Sequence, residues 1–142
     1  MSIQQGATNA FKIGLPAGTF NFATDTFKIA LYTGAATLGP TTNAYITENE
    51  VVASGYVAGG ETLVVSVQPT TGPDPSSTTA YLSFSNVSWT SALTARGALI
   101  YKFGGTNPTV CVLNFGGDKT SVNTFTVEFP VATSTSAILR LS

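Results

Sequence analysis

The sequence predicts an all-β protein: an antiparallel β-sandwich, of jelly-roll or Ig-like type, with about eight strands and one short helix. Three observations predict this class. Apolar and polar residues alternate with a period of two in several short runs, most densely over residues 82–115. Gly, Pro and Asn separate these runs at short intervals, which is typical of turns. Thr and Ser supply 36 of the 142 residues, and Thr favours pleated, half-buried surfaces.

The polar N-terminus is predicted to be an arm, residues 1–9, that precedes a single β-sandwich domain of residues 10–142. Alone the arm is expected to be mobile, and it is expected to become ordered on a neighbouring subunit. Its deletion should therefore abolish retention on an assembly while the domain stays folded. A short first strand is predicted over residues 10–13.

The rest of the first half of the domain is predicted to hold two further strands and the helix. Over residues 26–33, alternate apolar side chains from Phe27 to Leu31 share one face. A short helix, capped by a preceding Thr or Asn, is predicted over residues 44–51. A Gly-Gly pair then indicates a turn, because Gly reaches positive φ without steric cost. The next strand is predicted over residues 61–67.

The second half begins with a long surface loop over residues 68–79 and a strand over residues 80–89. The apolar parity changes within that strand, so a β-bulge is predicted at residues 85–86. The bulge would place four residues on the core side: Leu82, Phe84, Val87 and Trp89.

A β-hairpin is predicted next, with strands over residues 97–103 and 109–115 joined by the connection 104–108. A period-two pattern also marks residues 123–129, where Phe125, Val127 and Phe129 share one face. The remaining predicted elements are a turn over residues 115–123 and a last strand over residues 136–141.

The residues predict no catalytic, cofactor-binding or metal-binding site. The chain has no His, which removes the commonest general base and a leading zinc ligand. No nucleophile motif or phosphate loop occurs. Glu48 and Glu50 are interpreted as a solvated acidic turn, because acid–base work needs two carboxylates at a set distance. The lone Cys111 lies in an apolar run and is interpreted as a small buried hydrophobe.

The charge pattern limits the partners. Six basic and seven acidic residues are spread singly, so nucleic acid is not an expected ligand. No apolar run approaches the roughly 20 residues that span a bilayer, and no signal peptide is recognised. Charged residues make up only 9% of the chain, against about 25% in a typical domain. Part of the surface is therefore predicted to be covered by partners; the alternative is a Ser/Thr-rich domain that tolerates low charge.

Five segments, taken together and in order, carry a family resemblance. They are DTFKIALYT, AYITENEV, SGYVAGGETL, VSWTSALTARGALIY and VCVLNFGGDKTSVNTFTVEFP. This set resembles a family of small virion structural proteins of tailed bacteriophages, and it covers most of the chain between Asp25 and Pro130. The resemblance implies a non-enzymatic particle component that is made in the host cytoplasm and present in many copies. It carries over no catalytic residue.

The expected function is that of a capsid decoration, or cement, protein that stabilises the shell by bridging capsid subunits. The chain is expected to form a homotrimer, to bind the major capsid protein or neighbouring virion proteins, and to reside in the virion. A tail or tail-fibre component and a carbohydrate-binding adhesion module, the latter built on exposed tyrosines, stay open as alternatives. Loops 34–43 and 68–79 are candidate contact segments. The candidate interface residues are Ser2, Ile3, Gln4, Gln5, Tyr32, Tyr45, Tyr56 and Arg96.

Overall fold

The strands of this protein pair in antiparallel fashion. Its computed structural model describes residues 2–72, 78–133 and 136–141. The predicted all-β class is confirmed, with one helix in the described residues. A sandwich-like arrangement fits the sheets, while the choice between a jelly-roll and an Ig-like type stays a prediction. The elements are β1 (Gly6–Ala7), α1 (Asn9–Ala17), β2 (Phe27–Tyr32), β3 (Glu61–Leu63), β4 (Val65–Thr70), β5 (Ala80–Phe84), β6 (Val87–Trp89), β7 (Thr94–Lys102), β8 (Thr109–Thr120), β9 (Phe125–Val127) and β10 (Leu139–Leu141).

The strands form one larger sheet and two smaller ones. The larger sheet has the order β1-β8-β7-β2-β3, and the smaller sheets have the orders β10-β5-β4 and β6-β9. Side chains from the larger sheet and from both smaller sheets meet in one main core. Among its members are Phe27, Ile100, Phe84, Trp89 and Phe125. Burial of such large apolar side chains contributes roughly 1.5–3 kcal/mol each.

Two predicted strands are each divided between two sheets. The strand predicted over residues 61–67 breaks at Val64, so that β3 pairs with β2 while β4 pairs with β5. At Ser85 and Asn86, the site of the predicted bulge, the chain passes from β5 to β6 and changes sheet. The core positions predicted around this break are confirmed, since all four belong to the main core: Leu82, Phe84, Val87 and Trp89.

The larger sheet is buried on both faces. Phe27 of β2 faces the main core, whereas Ala30 and Tyr32 of the same strand belong to a second core. Ile3 and Leu38, from segments outside the named strands, close this second core. The period-two pattern of β2 therefore identified the inward face correctly, but an irregular outer layer covers the other face.

The strand predicted over residues 10–13 is wrong, because these residues lie in α1. Thr8 caps the helix, its Oγ1 accepting a hydrogen bond from the backbone N–H of Phe11 at 3.2 Å. At the other end, Gly18 takes a left-handed conformation, with φ 77°, and donates to the carbonyl of Leu15. Capping at both ends stabilises a helix that is too short to be stable on its own.

The N-terminal segment is not a free arm in the structure. Ile3 is 7% exposed and Thr8 is fully buried. The backbone N–H of Gln4 donates to the carbonyl of Leu38, and β1 pairs with β8. The expectation of a mobile segment is thus corrected: residues 2–9 complete both the sheet and the second core of their own domain.

The helix predicted over residues 44–51 does not form. Ala44 forms a β-bridge with Pro108, and Glu50 forms one with Tyr32. Extended pairing with neighbouring elements takes the place of internal helical hydrogen bonds. β-Branched residues within the segment favour that outcome, because their side chains lose χ1 freedom in a helix.

The β7–β8 hairpin is confirmed, and its connection, residues 103–108, is one residue longer than predicted because β7 ends at Lys102. However, β8 continues to Thr120, so the turn predicted from residue 115 begins only after that residue. Phe125 and Val127 of β9 are buried as predicted, and Phe129 packs partly buried beyond the strand. In the loop predicted over residues 68–79, the first three residues belong to β4, and residues 73–77 lie outside the described residues.

Candidate functional site

A buried carboxylate lies among tyrosine side chains in the interior of the protein. Glu50 is 7% exposed, and its two carboxylate oxygens accept three hydrogen bonds. The hydroxyls of Tyr45 and Tyr56 donate at 2.5 and 2.6 Å, and the backbone N–H of Gly59 donates at 2.8 Å. We call Glu50, Tyr32, Tyr45, Tyr56 and Tyr101 the Glu50 cluster. Buried charges occur where hydrogen bonds satisfy them, and this carboxylate meets that condition.

Separate elements supply the members of the Glu50 cluster. Tyr32 ends β2 and donates to the carbonyl of Ile46 at 2.6 Å. Tyr101 of β7 stacks on the ring of Tyr45, with centroids 4.7 Å apart, and donates to the carbonyl of Gly59. The hydroxyl of Tyr56 also accepts from a backbone N–H of β2. The cluster therefore fastens the irregular chain of residues 44–60 to the central strands.

The predicted Gly-Gly turn completes this arrangement. Gly59 and Gly60 have φ values of 99° and 81°, in the region that favours glycine. A Cβ atom on Gly60 would lie 1.8 Å from the carbonyl oxygen of Ile29. The turn thus needs Gly at this position both for its backbone conformation and for close approach to β2.

Burial keeps the four tyrosines of the cluster protonated. It raises the pKa of Tyr32, Tyr45 and Tyr56 well above the ordinary value of 10.0. The pKa of Tyr101 rises to about 12, again mainly through burial. The carboxylate of Glu50 raises all four further through its negative charge, and it hydrogen-bonds two of them directly. Protonated hydroxyls can act as donors, which is the role that the geometry gives them.

The candidate interface tyrosines do not form an exposed platform. Tyr32 and Tyr56 are buried, and Tyr45 is half-buried within the Glu50 cluster. The sequence thus selected three residues that do lie together, but it placed them at the surface. It missed Tyr101, and it interpreted Glu50 as solvated. Tyr101 has no local signal, since it meets Tyr45 and Gly59 only through tertiary contacts. The three donors to Glu50 lie within nine residues of it, but no regular periodicity indicates that they fold back onto its carboxylate.

The other candidate interface residues divide between core and surface. Ile3 is buried in the second core, whereas Ser2, Gln4 and Gln5 are exposed beside it. Gln5 also accepts a hydrogen bond from a backbone N–H of β8 through its side chain. Arg96 is half-buried and lies 3.9 Å from the carboxylate of an exposed Asp on β8. The exposed polar members remain available for contact with another molecule.

A groove of about 430 Å³ opens between the end of β8 and β9. Phe115 and Phe125 line it, with ring centroids 6.1 Å apart. Along this stretch β8 pairs with β7 on one edge, and no described strand pairs with the other edge. Polar side chains complete the lining, with Lys119 and Glu128 as the charged members. The groove is therefore an uncovered edge of the sandwich.

The described residues contain no group of three or more side chains that could hold a metal ion. Within the same residues, no helix is long and apolar enough to cross a membrane. No known protein family, curated protein or solved structure matches this chain. Its function must be argued from its own residues and geometry, together with the resemblance of its five segments.

Proposed function

We propose that this chain is a non-enzymatic structural protein of a bacteriophage particle, and that it acts as a capsid decoration, or cement, protein. The observation that carries the proposal is the ordered set of five segments between Asp25 and Pro130 that resembles small virion proteins. These segments build the scaffold of the fold, including β2, β3, the β7–β8 hairpin and β9. The resemblance therefore concerns the strands that form the fold, and it includes no catalytic residue.

The mechanism of such a protein is mechanical. Its contacts with the major capsid protein, or with neighbouring virion proteins, bury area across subunit junctions and raise the barrier to rupture of the shell. Charged residues make up only 9% of the chain, which supports this role because few charges have to be desolvated when the surface is covered. The exposed candidates for these contacts are Ser2, Gln4, Gln5 and the outward-facing residues of loop 34–43, whose Ala36 and Leu38 are buried in the second core. The proposed working form is a homotrimer in the virion, assembled in the host cytoplasm.

Immunogold electron microscopy of purified particles tests the location. An antibody raised against the purified protein should label the shell evenly. Label confined to the tail would favour the alternative of a tail or tail-fibre component. Particles without any label would overturn both assignments. A heat-release assay completes the test, since particles that lack the protein should lose their genome at a lower temperature than complete ones.

The carbohydrate-binding alternative was suggested by exposed tyrosines, and the tyrosines in question are not exposed. Sugar-binding platforms present aromatic faces to solvent, and here Tyr32 and Tyr56 are buried with their hydroxyls hydrogen-bonded inside the protein. A glycan array probed with the labelled protein should therefore give no signal above background. A specific hit would revive an adhesion role.

A further inference from the structure

Three loops at one end of the sandwich are joined into a single surface. They are residues 51–58, 90–93 and 121–124, which we call the loop end. The hydroxyl of Ser91 donates to the carbonyl of Ser54 at 2.6 Å. The hydroxyl of Ser121 donates to the carbonyl of Ser91 at 2.7 Å. Ser91 is buried, so the hydrogen bonds that join the three loops lie beneath their exposed surface.

The loop end exposes three large apolar side chains to solvent. Val52 is 97% exposed, Val122 80% and Val57 72%. Among the described residues, eight large apolar side chains are exposed, and these short loops hold three of them. Singly exposed apolar residues are ordinary, but several on one surface mark an interaction site.

The same loops carry no charge. They contain no Asp, Glu, Lys or Arg, and their exposed polar groups are hydroxyls, one Asn side chain and backbone. The hydrogen bonds between the loops also limit their freedom before any partner arrives, which lowers the entropic cost of binding. The loop end is thus apolar, preorganised and itself uncharged. Lys119 and Glu128, which share a groove with Ser121 and Thr124, lie beside these loops and have opposite charges.

We propose that copies of this chain meet through the loop end around a rotation axis. Residues close to such an axis face the same residues of the other copies. A charged surface would therefore meet its own charge there, whereas the uncharged loops bring no like charges together and bury their exposed valines against one another. The net charge of −1 per chain adds little repulsion between whole molecules. This inference names the self-association surface of the proposed homotrimer and in that respect rests on the proposed function.

The first test is sizing of the purified chain by light scattering over a range of concentrations. The wild type should exceed the 14.6 kDa of one chain as concentration rises. A Val52→Asp/Val122→Asp variant places like charges at the axis and should associate at least about tenfold more weakly. Val131→Asp is the matched control, since Val131 is 74% exposed outside the loop end, and it should associate as the wild type does. Circular dichroism of each variant verifies that the fold is retained.

A second test uses crosslinking. The native Cys111 is buried, so Val122→Cys introduces the one accessible thiol in the described residues. Mild oxidation should then link two chains through residue 122, whereas Val131→Cys should stay unlinked. A wild type that is monomeric at every concentration would overturn the inference. Association that both Asp substitutions leave unchanged, or that Val131→Asp weakens equally, would overturn it as well.

These outcomes separate the inference from the proposed function. A monomer that still labels the viral shell would leave the decoration role standing and remove the loop end as its self-association surface. An oligomer sensitive to the loop-end substitutions but absent from particles would leave the association surface standing and remove the virion role.

Discussion

At the scale of single residues, Glu50 is the one charged side chain that is buried among the described residues. A buried carboxylate is costly unless several donors surround it, and breaking such an arrangement leaves polar groups without partners. Here two tyrosine hydroxyls and one backbone N–H satisfy it. Glu48, two residues earlier, is exposed and has the same side chain. The pair therefore separates the effect of burial from that of charge.

Replacement of Glu50 by Ala should lower the free energy of unfolding by about 3 kcal/mol, because each buried donor left without a partner costs about 1–3 kcal/mol. The Glu48→Ala control should stay within about 0.5 kcal/mol of wild type, as is usual for exposed positions. Urea unfolding followed by fluorescence measures both. Equal effects of the two substitutions would show that the Glu50 cluster adds nothing to stability.

The buried tyrosines predict a loss of stability in alkali. Their pKa values are raised in the folded state, so the folded protein favours the protonated form. This contribution is fully present below pH 10, the ordinary tyrosine value, and it is lost as pH rises from there through the folded pKa, about 12 for Tyr101. The melting temperature should fall over that interval.

Absorbance at 295 nm checks the same point directly. Tyrosinate should appear at higher pH in the folded protein than in the protein unfolded in urea. Coincident titration curves would contradict the burial of these hydroxyls.

At the scale of elements, local patterns succeeded where the whole element and its turn are contiguous in sequence and failed where distant pairing partners decide. The hairpin of β7 and β8 was predicted because its turn and both strands are contiguous in sequence. Residues 10–13 read as a strand, yet Thr8 and Gly18 cap a helix there. Both are recognised helix signals, so this element could have been found from the sequence.

The cap of α1 supplies a test at this scale. Besides capping α1, the hydroxyl of Thr8 donates to the carbonyl of Thr109 and accepts from the hydroxyl of that residue. Thr8→Ala should lower the free energy of unfolding by about 1–2 kcal/mol, near the top of the range for lost caps, because the hydroxyl is also buried. Thr41→Ala, at an exposed position, is the control. A calorimetric melting temperature unchanged by Thr8→Ala would show that the cap is not needed.

The end of β8 shows how neighbours override turn signals. Its Gly-Gly-Asp-Lys sequence reads as a turn, but β7 offers free backbone groups alongside, and Ala95 and Lys119 pair directly. The strand therefore continues to Thr120. Backbone pairing of this kind depends on where the adjacent strand ends, which no local pattern specifies.

At the scale of the whole molecule, two cores share one sheet. The main core and the second core lie on opposite faces of the larger sheet, and β2 and β7 contribute side chains to both. The chain also passes between sheets within very short breaks after β3 and β5. Loss of either core would expose the strands on which the other depends, so the molecule should unfold as one unit.

Cooperative unfolding has a direct measurement. Trp89, the single tryptophan, reports on the main core by fluorescence, and tyrosine circular dichroism in the near ultraviolet reports largely on the Glu50 cluster. In urea both signals and the far-ultraviolet signal should change with one midpoint. An earlier loss of the tyrosine signal would show instead that the irregular outer layer opens on its own.

The all-β class, the hairpin, the inward face of β2 and the core positions around residues 82–89 could be predicted from the sequence, because alternation and turn chemistry are local properties of the chain. The structure was needed to find that residues 2–9 and 34–50 cover the second face of the sheet. It was also needed to find that Glu50 is buried among tyrosines and that the loop end is one surface. The outer layer and the loop end depend on contacts between residues far apart in sequence. Glu50 takes its donors from within nine residues, but its segment is placed by the bridge to Tyr32 of β2. Each local segment is compatible with several arrangements until its neighbours pack against it.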